Sequence, residues 1–182
     1  MTKSKRILLI ILAMAAILAF SGCEQQAGPS VTAPPASFPF MYLQHPMGTI
    51  GVGMTLDEIE EILGMEPEFF VALEGAYLAD YEIPDIVVIY DEFDRAVMIR
   101  SFSYGTAYNG VTIGMYYDVV VAIVGENAFE SFVPERDVFA VALFYDENGE
   151  QTSPFDPDAA YSVTFEIGDE GLVERLEIEM LL

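Results

Sequence analysis

The stretch Ile50-Gly51-Val52-Gly53-Met54-Thr55-Leu56-Asp57-Glu58-Ile59-Glu60-Glu61-Ile62-Leu63-Gly64 is the part of the chain around which the rest is organised. Ile50 and Val52 approach like a strand, and Gly53 supplies the backbone freedom needed where that strand turns into a helix. Thr55 stands where its hydroxyl caps the helix, and Glu58, three residues on, completes a capping box. Leu56, Ile59, Ile62 and Leu63 then share one helical face, while Asp57, Glu58, Glu60 and Glu61 take the other. Gly64 is the expected left-handed stop, with Pro67 soon after. A helix of about two and a half turns is marginal alone, so packing must hold it.

A degraded copy runs from Val111 to Gly125, sixty-one positions on. Gly114, Met115, Asp118, Ile123 and Gly125 recur identically, and Val111, Ile113, Val120 and Val124 exchange one aliphatic for another. A motif that returns at such a period is one supersecondary unit used twice. Tyr116 replaces the capping threonine, and Val119, Val121 and Ala122 replace the acidic face, so Tyr117 to Val124 is apolar nearly all round. Propensity alone reads this segment as a strand. Registration with the first copy and the terminal Gly125 read it as a helix, and a helix apolar on every side is expected to be buried on both.

Strand-like runs follow each helix. They are Phe69 to Leu73, Ala76 to Tyr81, Ile86 to Tyr90 and Ala96 to Phe102, then Val138 to Tyr145, Tyr161 to Ile167 and Leu172 to Leu182. In the last run Leu172, Leu176, Ile178, Met180 and Leu182 alternate with Arg175, Glu177 and Glu179, which is half-buried strand periodicity. Gly168-Asp169-Glu170-Gly171 reads as the turn into it. Laying Asp94-Arg95-Ala96-Val97 on Glu170-Gly171-Leu172-Val173 gives an offset of seventy-six, so the second copy holds about fifteen extra residues, assigned to the loop Asp146 to Asp158. The expected fold is therefore α+β, with repeat 1 over 47–108 and repeat 2 over 109–182, each a short helix followed by antiparallel strands.

The N-terminus reads as a targeting segment. Lys3, Lys5 and Arg6 precede an apolar run from Ile7 to Phe20, and Phe20-Ser21-Gly22 leads into Cys23, the only cysteine. This resembles a bacterial lipoprotein signal over 1–22, with Phe20 where that family prefers leucine. The resemblance implies cleavage before Cys23 and acylation of that residue. An ordinary secretory signal and an uncleaved anchor are the alternatives. Residues 23–46 hold Pro29, Pro34, Pro35, Pro39 and Pro46 among small residues and read as a tether. At about 3.1 Å per residue it could reach ~70 Å.

The full chain has a formal charge of −23. Cleavage removes three basic residues and leaves Arg95, Arg100, Arg136 and Arg175 against thirty acids, a formal −26 with no lysine. Such a surface repels nucleic acid and anionic lipid, so neither is expected as a partner beyond the anchor itself. Self-repulsion for solubility is the plain reading of the acids, and attraction to a cationic partner the functional one.

The acidic turns Asp91, Glu92 and Asp94, and Asp146, Glu147, Asn148 and Glu150 with Asp156 and Asp158, invite a calcium reading, but their spacing does not match an EF-hand loop. They read as solvated turns, and no metal or other cofactor is expected. His45 is the single histidine and reads as structural. No nucleophile elbow, phosphate loop or His-Glu-x-x-His pair is present, so no catalytic residue is named. Tyrosines on a sheet face are suitable protein-binding anchors, and are also common half-buried sheet residues.

The pattern Gly-Met-Thr-x-x-Glu-Ile-x-x-Ile-Leu-Gly at Gly53, Met54, Thr55, Glu58 and Gly64, used again at Gly114, Met115 and Gly125, resembles the helical signature of small envelope lipoproteins of the SmpA/OmlA type. The tandem arrangement is similar to that of β-lactamase inhibitory protein and its relatives. The resemblance implies one curved antiparallel sheet with the helices on its convex side. The expected function is a non-catalytic, lipid-anchored extracytoplasmic domain that binds an envelope or secreted protein through a sheet face or the Asp146 to Asp158 loop. Inhibition of a secreted enzyme is the alternative, and a cell-wall-acting enzyme a more distant one.

Overall fold

The computed structural model describes residues 41–134 and 138–181, and Cys23, the signal segment and most of the tether lie outside them. Within these limits the chain forms thirteen strands and two helices of eight residues each, so the α+β expectation is overturned in favour of a largely antiparallel β fold. The amphipathic helix is the loudest local pattern in the sequence, yet it accounts for little of the chain. Four strands came without a strong apolar run. They are β1 (Tyr42–His45), β7 (Ala107–Tyr108), β8 (Val111–Thr112) and β11 (Gln151–Thr152), short pieces whose pairing is set by turns and neighbours. Strand β1 occupies the end of the stretch whose proline content read as tether.

The remaining elements are β2 (Gly48–Gly51), α1 (Leu56–Leu63), β3 (Phe69–Leu73), β4 (Ala76–Tyr81), β5 (Ile86–Asp91), β6 (Ala96–Ser101), α2 (Tyr117–Val124), β9 (Phe129–Val133), β10 (Val138–Tyr145), β12 (Tyr161–Ile167) and β13 (Val173–Met180). They form two sheets rather than one. The small sheet runs β2-β1-β7-β8, and the large one runs β11-β10-β12-β13-β6-β5-β4-β3, with β9 also on β10. Counted inward from β3 on one margin and from β9 on the other, the large sheet meets a helix-following strand, then three further strands, and the halves join where β6 pairs antiparallel with β13.

Hydrogen bonds around the two helices correspond one to one. Gly53 N donates to Ala96 O and Ala96 N to Met54 O, as Gly114 N donates to Val173 O and Val173 N to Met115 O. Leu56 N donates to Asp94 O, and Tyr117 N to Gly171 O. The closing hairpins thus match one residue further on than the Asp94-on-Glu170 alignment placed them. Each hairpin also carries a bulge, between Ile89 and Tyr90 and between Glu166 and Ile167. A bulge leaves a residue unopposed, which hides the true offset from a comparison of letters.

One apolar cluster joins the two sheets. Met41, Leu43, Ile50, Val52, Ile59, Leu63, Val111 and Val120 from the small sheet and helices meet Val88, Ile99, Leu176, Ile178, Val163 and Phe165 from one face of the large sheet. Tyr108 on β7 lies with its ring 6.5 Å from Phe165 and 6.4 Å from Tyr145. The two helices contribute unequally. On α1 Ile59 and Leu63 are buried, whereas on α2 only Val120 is, and Val119 and Ile123 are exposed. The expectation that α2 is buried on both sides is therefore wrong, because only one side of it meets the sheet.

Candidate functional site on the open face of the large sheet

Successive side chains of a strand point to opposite faces, so the residues not facing the core share the other side of the large sheet. The pairing register lays them in rows. One row is Val71, Leu78, Ile89, Met98, Glu179, Ser162 and Phe144. The next is Phe69, Asp80, Val87, Arg100, Glu177, Thr164, Ala142 and Phe129. Beside them Glu166 on β12 is paired with Arg175 on β13 and Ala140 on β10.

The face thus has three zones. On the β3 side lie Leu78, Val87, Ile89 and Met98, all half-buried, around the single acid Asp80, with Phe69 and Val71 exposed beyond them. On the β9 side lie buried Ala140 and Ala142, then Phe144, whose ring is 6.4 Å from that of Phe129. Phe155, from the loop between β10 and β12, stands edge-on 5.9 Å from Phe129. Between these apolar zones runs a charged band. Arg100 Nε donates to Glu177 Oε2 at 2.6 Å, and Arg175 forms an ion pair with Glu166. The Arg175 guanidinium lies 6.0 Å from the centre of the Phe102 ring, within cation–π reach.

Glu179 completes the band. Burial, and then the charge of Glu177, push its carboxyl above the ordinary range, while Arg100 pulls the other way. Two of the three arginines in the described residues are therefore spent on this face, each held by a carboxylate from a neighbouring strand. The third, Arg95, approaches Gly53 O from the other layer at 3.4 Å.

The residues singled out from the sequence lie elsewhere. Thr55 Oγ1 accepts from Glu58 N at 3.4 Å, and Thr55 N donates to the Glu58 carboxylate at 2.8 Å, a complete capping box. Gly64 closes α1 in the left-handed conformation, at φ 69° and ψ 22°. Met54 and Met115 each accept a backbone N–H at sulfur, from Gly51 and Thr112. Gly53 and Gly114 turn with φ of 83° and 93°, and a Cβ on Gly114 would also stand 3.0 Å from the Tyr104 ring. Gly125 ends α2 with φ 77° and ψ −170°, a backbone shape glycine alone adopts readily. These eight residues build the helix turns and none of them reaches the open face.

In the long loop, Asp146 accepts from Asn148 N and Glu150 N, and Asp156 accepts from the Thr152 hydroxyl and Asp158 N. Those bonds hold both carboxyls below their usual range, led by the Glu150 amide for Asp146 and by Thr152 for Asp156. Among the described residues no three carboxylate or histidine side chains converge as a metal would need.

Sequence reasoning did not name Arg100, Arg175, Glu166 or Glu177 as a group. The alternation of Arg175, Glu177 and Glu179 was visible, but Arg100 and Glu177 are seventy-seven residues apart and meet only through the β6–β13 pairing. The tyrosines expected as anchors mostly face inward: Tyr81, Tyr90, Tyr108 and Tyr161 are buried, and phenylalanines supply the aromatic surface of the open face.

No family model matches the chain. A stretch of 94 residues, half of the chain, is 27% identical to histidinol-phosphate aminotransferase from Lactococcus lactis subsp. cremoris, but it spans only 26% of that enzyme. Among solved structures, a DUF4309 family protein, YjgB, from Bacillus subtilis aligns over 70% of this chain and 78% of its own, at 19% identity and a TM-score of 0.45. Neither match carries an activity over to this chain.

Proposed function

We propose that this chain is a non-catalytic, lipid-anchored binding domain on the outer side of a bacterial membrane, and that it holds an envelope or secreted protein against the open face of its large sheet. The observation that carries the reading is the three-zone surface of that face. Apolar side chains flank a band of ion-paired arginines, and interface cores combine aromatic, methionine and arginine side chains in this way. Covering the ion pairs costs a partner little further desolvation, because the side chains of Arg100, Glu177, Arg175 and Glu166 keep only 22, 14, 9 and 11% of their surface in water already.

The test is crosslinked capture from the native envelope and culture supernatant, using the detergent-solubilised full protein. The Val87→Asp/Met98→Asp variant places charge in the apolar zone of the face. A dominant partner kept at high salt by the natural protein and lost by this variant supports the reading. Equal capture by both overturns it.

The anchor is tested separately. Cys23→Ala is expected to abolish labelling by a fatty-acid probe in cells, and labelling that persists in the variant removes the lipoprotein assignment.

A further inference from the structure

Strand β3 is an edge with none of the usual protection. Its sequence, Phe69-Phe70-Val71-Ala72-Leu73, contains no charge, proline or bulge, and every residue in it is exposed. Phe69, Phe70, Val71 and Leu73 keep 60, 56, 50 and 45% of their surface open to solvent. On one side β3 pairs with β4 from Phe69↔Asp80 to Leu73↔Ala76, and its other side has no strand neighbour among the described residues. Natural sheets rarely leave such an edge bare, since it is a template for another strand. The opposite margin differs: β9 carries Glu130 in its middle, and β11 is two residues long.

The flanks of β3 state what kind of strand would fit. Exposed Glu66, Glu68 and Glu74 bracket it. Asp80 lies opposite Phe69. Contact with the Glu82 carboxyl, then desolvation and the charges of Glu82 and Asp80, push the Glu68 carboxyl above its ordinary range. A second copy of this chain is a poor occupant. Antiparallel pairing of two β3 strands centred on Val71 sets Glu68 of each opposite Glu74 of the other, and like charges placed directly opposite are destabilising.

We infer that the β3 edge is a docking site for an extended segment of a partner protein, apolar in its centre and flanked by lysine or arginine, which adds to the large sheet as one more strand. This rests on the reading of the chain as a binding domain and adds the mode and the chemistry of the partner. Backbone hydrogen bonds along the edge supply affinity. Phe69, Val71 and Leu73 on the open face, and Phe70 on the other, supply contact for alternate side chains, while the glutamates select the charge of the flanks.

The probe is a synthetic peptide of alternating valine and threonine with paired lysines at each end, titrated into the full protein by fluorescence anisotropy and followed by hydrogen exchange. Saturable binding, with slowed exchange confined to the amides of 69–73, supports the inference. Binding weakened at least about tenfold by Val71→Lys, and by exchanging the peptide's lysines for glutamates, supports it further. Exchange at β3 that the peptide leaves unchanged overturns it, as does equal binding of the lysine and glutamate peptides. A homodimer in sedimentation whose β3 amides are already protected without peptide also overturns it, in favour of a second copy. Val87→Asp/Met98→Asp changes no residue of β3 or β4, so the two readings fail separately. Capture unchanged by that variant while the peptide still protects 69–73 overturns the open-face reading alone. Capture lost to it while the natural protein leaves the peptide unbound overturns the β3 inference alone.

Discussion

Thr55 holds the start of α1 through two reciprocal bonds with Glu58, and α1 is only eight residues long. Thr55→Ala is expected to cost about 1 kcal/mol, read as a lower melting temperature, and Thr55→Ser to restore most of it. An unchanged melting temperature for Thr55→Ala would mean that burial of Ile59 and Leu63 alone fixes the helix. His45 is the other residue with a legible consequence. It is buried on β1, its Nδ1 accepts from Met47 N at 3.1 Å, and its Nε2 meets no partner among the described residues. Burial lowers the imidazole below its ordinary value of 6.5. The folded protein then binds the proton more weakly than the unfolded chain, so this contribution to stability is present above pH 6.5 and is lost as the pH falls toward the depressed value. Urea unfolding at pH 7.5 and 5.5 is expected to show a larger loss for the natural protein than for His45→Asn, whose amide oxygen keeps an acceptor for Met47. Parallel losses would remove His45 from the acid response. At this scale the sequence was most readable, because a capping box and a left-handed glycine are local. His45 was readable only as a lone histidine, since burial depends on what covers it.

Among the elements, what the sequence disclosed tracks the strength of the local period. The runs over β3, β4, β5, β6, β10, β12 and β13 announced themselves by apolar or alternating residues. Strands β1 and β7 did not, for their pairing is a hairpin and a single cross-link, Gln44↔Ala107. The cross-strand ion pairs were beyond reach for the same reason, as each needs two strands whose adjacency no local pattern states. The pair between β12 and β13 has the sharper energetic consequence. The side chains of Arg175 and Glu166 keep only 9% and 11% of their surface. Removing one member of a buried pair strands the other's charge, whereas removing both with apolar replacements can be neutral. Arg175→Met is therefore expected to destabilise by roughly 3 kcal/mol in denaturant unfolding, and Arg175→Met/Glu166→Leu to recover most of that loss. If the double variant is as unstable as the single one, the pair serves the fold through packing or through Glu166's other contacts, and not through charge balance.

For the molecule as a whole, the governing quantity is charge. Thirty acids face seven basic residues in the full chain, and three of those seven precede Cys23. The large sheet draws Arg100 and Arg175 to its open face, so among the described residues the acids elsewhere greatly outnumber the one remaining arginine, Arg95. Ion pairs and self-repulsion respond to salt in opposite directions. Screening weakens the exposed part of the Arg100–Glu177 attraction, but that is one short, partly covered contact. Repulsion is summed over many exposed acids at longer range, where the Debye length falls from about 30 Å at 0.01 M to about 3 Å at 1 M salt. The long-range sum is the larger, and relieving it favours the compact state. The melting temperature is thus expected to rise steadily from 10 mM to 1 M sodium chloride, with most of the gain before about 0.2 M, where the screening length has already shrunk below the size of the domain. Sodium and potassium are expected to act alike, since screening reads ionic strength and not the ion. A melting temperature that fell with salt would place the ion-paired band, and not the acidic surface, in control of stability, and would make that band too important to the fold to be free for a partner.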